Sequence, residues 1–311
     1  MTRPAGITVV LPTWNRPAGL RRALGGLAAQ HDPGVGWEVA VVASAGGTAA
    51  VEAVVASFRD HAPVPLRVVD EPRPGASRAR NRGLEEARRV VAFLDDDCVP
   101  DPGWLAAVTG PVLAGRWAGT GGRVVADPAV PTPRWLGDAL LAYLAAYDRG
   151  DEEVVLGGDD YLLTANAAFD SDFLTAAGAF DPLLGPTAGR PTVNDDVDIC
   201  RKVVRAGGLI GYVPSAVVVH DLPPSRLTPR YLLRRFYAQG RSDWLLDRGE
   251  LETLTDRGVR GAAGRLGREL GSILPQGPWH RSVVLHAAGA VARAAGFTRQ
   301  AVSGARPPGP G

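Results

Sequence analysis

The feature of the sequence with the clearest chemical potential is three consecutive aspartates, Asp95, Asp96 and Asp97. They follow Val90–Leu94, an apolar and β-branched run that predicts a buried strand. Adjacent carboxylates repel one another, and burying them without compensation is costly. A divalent cation would relieve that repulsion, and all-oxygen ligation favours Mg²⁺ or Mn²⁺. Such a cation would also neutralise a diphosphate, whereas a solvated acidic turn is the simpler alternative.

A second acidic cluster, Asp195, Asp196 and Asp198, lies at the start of a helix that is predicted to run over residues 195–206. Carboxylates are favourable near a helix N-terminus because the positive end of the helix dipole lies there. Helix capping is therefore a sufficient explanation for Asp195 or Asp198. Neighbouring carboxylates can also raise the pKa of one member of such a cluster.

The first hundred residues alternate between strand-like and helix-like segments, which predicts a parallel sheet covered by helices on both faces. The predicted strands are Ile7–Leu11, Trp37–Val42, Pro65–Val69 and Val90–Leu94. The predicted helices between them run over 17–30, 47–59 and 75–88. Because ligands bind beyond the carboxyl ends of the strands in such sheets, we expect the loops after these strands to share one functional edge.

The alternation becomes less regular after Trp104. The elements predicted there are helices over 135–147 and 195–206, short strands over 209–213 and 216–220, and further helix over 228–296. Residues 307–311 are predicted to be a disordered tail.

Bulk composition argues against several classes of protein. The 311 residues are 45% hydrophobic and carry a formal net charge of +1, so a sizeable core is expected and nucleic-acid binding is not. The two cysteines, Cys98 and Cys200, indicate neither a disulfide framework nor a zinc site. Neither a signal-peptide pattern nor an apolar run of the ~20 residues that span a membrane is found. A cytoplasmic protein is therefore expected.

Several motifs, in order across residues 5–245, resemble those of the family 2 glycosyltransferases. Val9–Arg16 is similar to the family's first strand and nucleotide loop, Gly75–Gly83 to its Ala-Arg-Asn helix, and Phe93–Asp97 to its Asp-X-Asp motif. Further matches are Ala165–Asn166 and Gly178–Asp181 to the segment under the donor sugar, Asn194–Asp198 to the Glu-Asp motif, and Val213–Pro214 with Val218–His220 to the strands that close the site. Each motif is weak by itself, and their joint order and spacing carry the resemblance.

The resemblance implies the GT-A fold, which is a Rossmann-like, mainly parallel α/β sheet flanked by helices, here with a C-terminal helical extension. It also implies an inverting glycosyltransferase that uses Mn²⁺ or Mg²⁺ and moves a sugar from a nucleoside-diphosphate donor to an acceptor hydroxyl. A UDP-sugar is the favoured donor. Residues 1–120 would be the nucleotide-sugar-binding half, 121–222 the acceptor and catalytic half, and 223–311 the helical extension with the disordered tail. Neither the acceptor nor the oligomeric state is readable from the sequence.

The resemblance also implies roles for individual residues. Asp97 would ligate the metal, Asp95 would contact the ribose or the metal, and His220 matches a position that completes the metal site in some relatives. Asp196 would be the general base, and Asp195, which stands where the family has Glu, shares the catalytic assignment. A histidine that only makes hydrogen bonds is the open alternative for His220. The remaining residues implied to contact the donor are Pro12, Thr13, Arg16, Ser44, Arg80, Asp96 and Asn166.

One departure from the family pattern concerns the nucleobase. The family usually has an aspartate at the end of the second strand, whereas this sequence has Ala43 and Ser44 there. Uracil would then be held by Ser44 or by backbone groups, and thymine and guanine stay open as alternatives. An acidic acceptor for a base N–H is missing at this position.

Two groups of arginines could meet phosphate. The first is Arg73, Arg78, Arg80 and Arg82, around the loop after the third strand. The second is Arg230, Arg234, Arg235 and Arg241, on a predicted helix. Two members of the first group could face a diphosphate. The second group could meet the pyrophosphate or an anionic membrane surface, so a peripheral contact with the inner membrane face stays open.

Two other functions compete with glycosyl transfer. Asp95–Val99 also matches the Asp-X-Asp-X-Val signature of haloacid-dehalogenase-like phosphatases, although that motif usually lies on an early strand. The second alternative is a catalytically inactive relative that binds a nucleotide sugar, which Ala43 supports weakly and Asp196 opposes. A dinucleotide dehydrogenase is not predicted, because no Gly-X-Gly-X-X-Gly follows the first strand.

Overall fold

The structure, a computed structural model, describes residues 3–59, 62–157, 160–187, 190–251 and 281–303. The chain divides into two compact units. The first unit comprises Met1–Asp127, Ala146–Pro182 and Asp195–Asp221, and the second comprises Pro128–Ala145, Leu183–Asn194 and Leu222–Gly311. The division into 1–120, 121–222 and 223–311 assigns functional roles to segments, whereas these units reflect packing, so that division stays a prediction.

Strands account for the centre of the first unit. In chain order the strands are β1 Ile7–Thr13, β2 Trp37–Ser44, β3 Leu66–Glu71, β4 Val90–Leu94, β5 Cys98–Pro100, β6 Gly119–Ala126, β7 Val154–Leu156, β8 Asn166–Asp170, β9 Pro186–Thr187, β10 Arg190–Pro191 and β11 Ile210–His220. Within the described ranges, nine of them form one sheet with the path β3-β2-β1-β4-β8-β6-β11-β5, and β7 pairs with β11 outside that path. In the second unit, β9 and β10 form a small antiparallel pair.

The parallel half of the sheet confirms the strand–helix alternation predicted from the sequence. β1 pairs in parallel with β2 and β4, and β2 pairs in parallel with β3. Every residue of β1 and β4 is buried, as expected for strands that are covered on both faces. The other half of the sheet is mixed, because β8 runs antiparallel between β4 and β6.

Helices flank the sheet, and most of the described residues of the second unit are helical. In chain order they are α1 Pro17–Ala28, α2 Thr48–Arg59, α3 Ala76–Glu85, α4 Trp104–Leu113, α5 Asp138–Leu141, α6 Ser171–Ala176, α7 Asp195–Arg205, α8 Pro229–Leu251 and α9 Arg281–Ser303. A 3₁₀ turn, Ala142–Leu144, follows α5. In the second unit α8 and α9 pack against each other.

Two predicted elements are wrong. The helix predicted over 135–147 is only α5 and the 3₁₀ turn, which ends where Ala145 adopts a left-handed φ of 63° that stops a helix. The two strands predicted over 209–213 and 216–220 are one strand, β11, whose register shifts between Val213 and Val217. Pro214 lies in that irregularity, where its missing N–H costs no ladder hydrogen bond.

The helix predicted over 228–296 is confirmed where the structure describes it, in α8 and α9. Residues 252–280 of that prediction and the tail 307–311 lie outside the described residues. Among the helices that are described, none is long and apolar enough to cross a membrane. The cytoplasmic location and the peripheral membrane contact stay predictions.

Helix α1 lies directly against the turn that the acidic triplet forms. Pro17 occupies its first turn, where a missing N–H is tolerated. A Cβ atom on Gly19 would lie 2.5 Å from the backbone oxygen of Asp96, so only glycine lets the helix approach this closely. Gly25, on the same helix, has no such neighbour within 4 Å.

We expect Gly19→Ala to lower the free energy of unfolding by about 1–3 kcal/mol, because the added methyl group overpacks against a backbone oxygen. The measurement is urea unfolding followed by circular dichroism. Gly25→Ala is the matched control, and it should raise stability by about 0.5–1 kcal/mol because alanine is the better helix former. Equal effects of the two substitutions would contradict the close approach of α1 to the acidic turn.

Candidate functional site

The acidic triplet lies at the carboxyl edge of the parallel half of the sheet, between β4 and β5. The N–H of Cys98 donates to the carbonyl oxygen of Asp95 over 3.0 Å and closes the turn. β5 pairs antiparallel with β11, which places His220 opposite Cys98. The N–H of Asp221 donates to the carbonyl oxygen of Asp97 over 2.8 Å. The pairing of β5 with β11 therefore brings the end of a distant strand to the triplet.

Asp96 connects the triplet to the loop between β1 and α1. Its carboxylate is buried and accepts hydrogen bonds from Thr13 Oγ1 (2.7 Å) and Arg16 Nη1 (3.2 Å). Arg16 Nη1 also donates to Asp97 Oδ2 over 2.6 Å. Burial raises the pKa of Asp96 to about 6, although Arg16 and Thr13 act in the opposite direction. Both oxygens of Asp96 are thus used inside the protein, so it holds the loop rather than reaching out to a ligand.

Arg80 is buried between two carboxylates that come from distant parts of the chain. Its Nη2 donates to Asp95 Oδ1 and its Nη1 to Asp195 Oδ2, each over 2.7 Å. The guanidinium also lies 5.8 Å from the centroid of the Phe180 ring. Burial lowers the pKa of Arg80, but the two carboxylates outweigh it, so the pKa is raised. The prediction that Arg80 faces a diphosphate is therefore corrected: with 3% of its surface exposed, Arg80 links two acidic segments.

Helix α3 can present Arg80 inward because it lies very close to the sheet. Gly75 precedes the helix with a φ of 135°, a conformation that favours glycine. A Cβ atom on Gly83 would lie 2.4 Å from Val10 Cγ1 of β1. Arg80 and Gly83 share the buried face of the helix, so this approach carries the guanidinium to the end of β4.

Asp195 and Asp196 open α7, and both have a raised pKa. The first cause for each is burial, and the proximity of the two carboxylates adds to it for Asp195. Thr164 donates to Asp196 Oδ1 from its N–H (2.8 Å) and from its hydroxyl group. Holding one oxygen in this way orients the other. A carboxylate with a raised pKa is a stronger proton acceptor than an ordinary one.

The donor atoms of Asp97 and His220 fit a divalent ion. His220 Nε2 lies 3.5 Å from Asp97 Oδ2, and two ligands of one six-coordinate ion with bonds near 2.1 Å would lie about 3 Å apart. Within the described residues, the buried Nδ1 of His220 has no hydrogen-bond partner. The imidazole favours a transition-metal ion such as Mn²⁺ over Mg²⁺, which prefers oxygen ligands.

The third predicted ligand, Asp95, is held by Arg80. Across the described parts of the chain, no group of three or more His, Cys, Asp or Glu side chains is already arranged to hold a metal ion. Asp97 and His220 could therefore be the only two protein ligands of the ion. Oxygen atoms of a bound diphosphate and water molecules would then fill the remaining coordination positions.

Asn166 lies inside the protein. Its Oδ1 accepts from Trp104 Nε1 (2.7 Å), and its Nδ2 donates to the carbonyl oxygens of Arg123 (2.9 Å) and Ala216 (2.7 Å). The side chain is completely buried, so this geometry does not support a direct contact with the donor. Asn166 instead joins β8 to β6 and β11 beside the site.

Pro12 and Ser44 lie at the ends of β1 and β2, which extend two residues further than the predicted strands, and their contact with the donor stays a prediction. The Ser44 hydroxyl group is buried and donates to the carbonyl oxygen of Arg73 over 3.4 Å. Glu71, which was not predicted as a site residue, pairs with Ser44 at the end of β3. Its buried carboxylate accepts from Arg73 N (3.0 Å), Nε (2.9 Å) and Nη2 (3.0 Å). A glutamate that ends a predicted strand two residues before an arginine is the signal that could have indicated it.

Thr164 was also missed. It holds Asp196 from 32 residues away in sequence, and nothing in its own sequence neighbourhood indicates that contact. Thr164 lies in the irregular segment before β8, where neither strand nor helix periodicity is present. Only the packing of α7 against that segment brings the two residues together.

Comparison with known families agrees with this arrangement. The profile described as Glycosyl transferase family 2 matches residues 8–166, just over half of the chain. That range contains β1 to β4, the acidic triplet and Arg80. The chain therefore belongs to glycosyl transferase family 2. This membership argues against the phosphatase alternative.

Individual proteins that resemble the chain support the same fold. It is 29% identical over 219 residues to a pre-mycofactocin glycosyltransferase from Mycobacterium tuberculosis. The alignment covers 69% of this chain and 42% of that protein, so the chain spans less than half the length of this relative.

Two solved structures share the architecture. One is GalNAc-T7 with UDP, GalNAc and Mn²⁺, with a TM-score of 0.54 and 15% identity over 77% of this chain and 50% of that one. The other is the mannosyltransferase PcManGT from Pyrobaculum calidifontis in complex with GDP-Man and Mn²⁺, with a TM-score of 0.55 and 18% identity over 97% and 76% of the two chains. The predicted GT-A fold is confirmed.

We expect Arg80→Gln to lower the free energy of unfolding by about 3 kcal/mol, because it leaves Asp95 and Asp195 without their shared counter-charge. This is the low end of the range for a broken buried pair, since Asp95 keeps some contact with solvent. The measurement is chemical unfolding at pH 7.

Arg82→Gln is the control on the same helix. Arg82 pairs with Glu85 and Glu86 at the surface, so its loss should cost less than about 1 kcal/mol. A similar loss of stability in both variants would contradict the buried bridge.

Proposed function

We propose that the chain is an inverting glycosyltransferase that moves a sugar from a nucleoside-diphosphate donor to an acceptor hydroxyl group. Asp196 is the general base of this reaction. A divalent ion, Mn²⁺ before Mg²⁺, is held by Asp97 and His220, with Asp95 beside them. Family membership supports the reaction class, and the geometry of the acidic residues supports the assignment of roles.

One observation carries this proposal. The guanidinium of Arg80 lies 2.7 Å from Asp95 and 2.7 Å from Asp195, which is 115 residues away from Arg80 in the sequence. Asp195 is followed directly by Asp196, so a diphosphate-binding turn and a candidate base belong to one cluster. In-line transfer needs both at the same place, one for the leaving group and one for the attacking hydroxyl group.

The chemistry follows from that arrangement. The acceptor oxygen forms a bond to the anomeric carbon while the bond from that carbon to the diphosphate oxygen breaks, and Asp196 takes the hydroxyl proton. Thr164 keeps the carboxylate of Asp196 oriented for this transfer. Arg16, on the loop after β1, contributes positive charge beside the turn. A bound divalent ion would neutralise charge that develops on the departing diphosphate.

UDP remains the nucleotide that we propose, and the neighbouring structures with UDP and with GDP-Man support a nucleoside diphosphate in general. At the carboxyl edge of the sheet, the polar groups at the ends of β2 and β3 are Ser44 and the Glu71–Arg73 pair. Ser44 and backbone groups would hold uracil. The acceptor is a hydroxyl compound whose class is left open.

We expect Asp196→Asn to lower the rate of sugar transfer by about 10²- to 10⁴-fold, because the amide cannot accept the hydroxyl proton. Donor affinity should stay close to that of the wild type, since Asp196 acts on the acceptor. The measurements are the turnover number and isothermal titration with the donor.

Asp198→Asn is the matched control. Asp198 also lies in the first turn of α7, where it pairs with Lys202 over 2.7 Å, so it shares any capping role but not the role as base. Its transfer rate should stay within a few-fold of the wild type. A wild-type rate in Asp196→Asn would overturn the assignment of the base, and an inactive wild type would favour the inactive relative.

We expect a UDP-sugar to raise the melting temperature of the wild type in the presence of Mn²⁺, because ligands that bind only the folded state stabilise it by mass action. Asp97→Ala should lose the part of this shift that depends on Mn²⁺. The measurement is a thermal-shift screen of UDP-, dTDP- and GDP-sugars with and without Mn²⁺.

Asp101→Ala, an exposed aspartate just after β5, is the control and should behave as the wild type does. A larger shift with a GDP- or dTDP-sugar would replace UDP as the nucleotide and leave the reaction class intact. Equal shifts with and without Mn²⁺ in the wild type would rule out the metal role of Asp97.

A further inference from the structure

The residue that directly precedes α7 has an unusual backbone. Asn194 has a φ of 73°, in the left-handed region that residues other than glycine seldom adopt. Its side chain is buried with 7% of the residue exposed. Asparagine adopts this region more readily than most residues, and here contacts to its buried side chain hold it in place. Those contacts fix the residue from which the chain enters α7.

Those contacts come from one face of α8. Asn194 and α8 both belong to the second unit. Asn194 Nδ2 donates to Asp243 Oδ1 over 2.9 Å, and Gln239 Nε2 donates to Asn194 Oδ1. Gln239 Nε2 also donates to Asp243 Oδ1 over 3.1 Å. The preceding N–H, of Val193, donates to Ser242 Oγ over 2.9 Å. Three successive contacts thus tie the end of this loop to α8.

Asp243 is itself held by the last described helix. Arg293 Nε, on α9, donates to Asp243 Oδ2 over 2.6 Å, and the Asp243 side chain is only 9% exposed. The two helices meet at their backbones, since a Cβ atom on Gly240 would lie 1.8 Å from the carbonyl oxygen of Arg293. One oxygen of Asp243 therefore serves Asn194 and Gln239, and the other serves Arg293.

We propose that Asp243 is a positioning residue for sugar transfer, which acts through Asn194 on the start of α7 and so on the placement of Asp196. Arg293 holds Asp243 in the orientation that this requires. The inference rests on the proposed role of Asp196 as the base. A displacement of about 1 Å in a catalytic group can cost on the order of 10²-fold in rate, so a contact remote from the reacting atoms can control turnover.

The test uses the full chain with Asp243→Ala, Asp243→Asn and Arg293→Gln. Asparagine keeps an oxygen that can accept from Asn194 and Gln239 but removes the charge that Arg293 binds. Arg299→Ala is the control, because Arg299 is exposed on α9 and belongs to neither group of arginines that could meet phosphate. Two measurements are made on each variant: hydrogen exchange of the amides of residues 193–198 by mass spectrometry, and kcat with KM for the donor identified by the thermal-shift screen.

We expect Asp243→Ala to raise exchange in residues 193–198 while exchange in β1 and β4 stays at the wild-type level. Its kcat should fall by about 10- to 100-fold with donor KM within about two-fold of the wild type. Asp243→Asn should recover most of the rate, Arg293→Gln should be intermediate, and Arg299→Ala should match the wild type. If Asp243→Ala does not fold, the same comparison between Arg293→Gln and Arg299→Ala decides the question.

Two outcomes would overturn the inference. In one, exchange in residues 193–198 is unchanged, or it rises together with exchange in β1 and β4, as a general loss of stability would produce. In the other, local exchange rises and kcat stays at the wild-type value. An inactive wild type would instead count against the proposed function, and the exchange measurement would still decide whether Asp243 holds the start of α7.

Discussion

The buried guanidinium of Arg80 joins the carboxylates of Asp95 and Asp195, and the rest of the site is arranged around this double contact. Asp95 follows β4 and Asp195 opens α7, and Arg80 donates to both over 2.7 Å. Without the intervening cation, the two acids would repel each other in a region of low dielectric constant. The planar guanidinium can direct two N–H groups to two different partners at once, which a lysine ammonium group cannot do with the same fixed geometry.

This requirement explains several choices of small residue. Helix α3 must approach the sheet closely for Arg80 to reach the end of β4, and Gly83 provides the space beside Val10. On the other side of the triplet, Gly19 lets α1 approach the carbonyl oxygen of Asp96. The loop that carries Arg16 is then held against Asp96 and Asp97. Each glycine therefore allows an arginine side chain to lie beside the acidic turn.

Sequence patterns predicted the parallel half of the sheet well. β1 and β4 are buried, mainly apolar runs, β2 and β3 each contain a shorter apolar run, and helices separate the four strands. Such local patterns depend little on distant residues. The antiparallel insertion of β8 between β4 and β6 was not predicted, because its pairing partners are set by contacts between residues far apart in sequence. The inward orientation of Asn166 follows from the same insertion, since its amide joins β8 to β6 and β11.

The amino-acid sequence by itself determined the strand–helix alternation, the position of the triplet beyond β4 and the order of motifs that indicates family 2. Those features are local, and each depends on a few consecutive side chains. Only the tertiary structure decided which carboxylates share Arg80 and that Thr164 orients Asp196. It also decided that the Asp96 carboxylate accepts hydrogen bonds from Thr13 and Arg16. These contacts join residues 15 to 115 positions apart, and a hydrogen bond between such residues depends on how helices and strands pack, which no local pattern specifies.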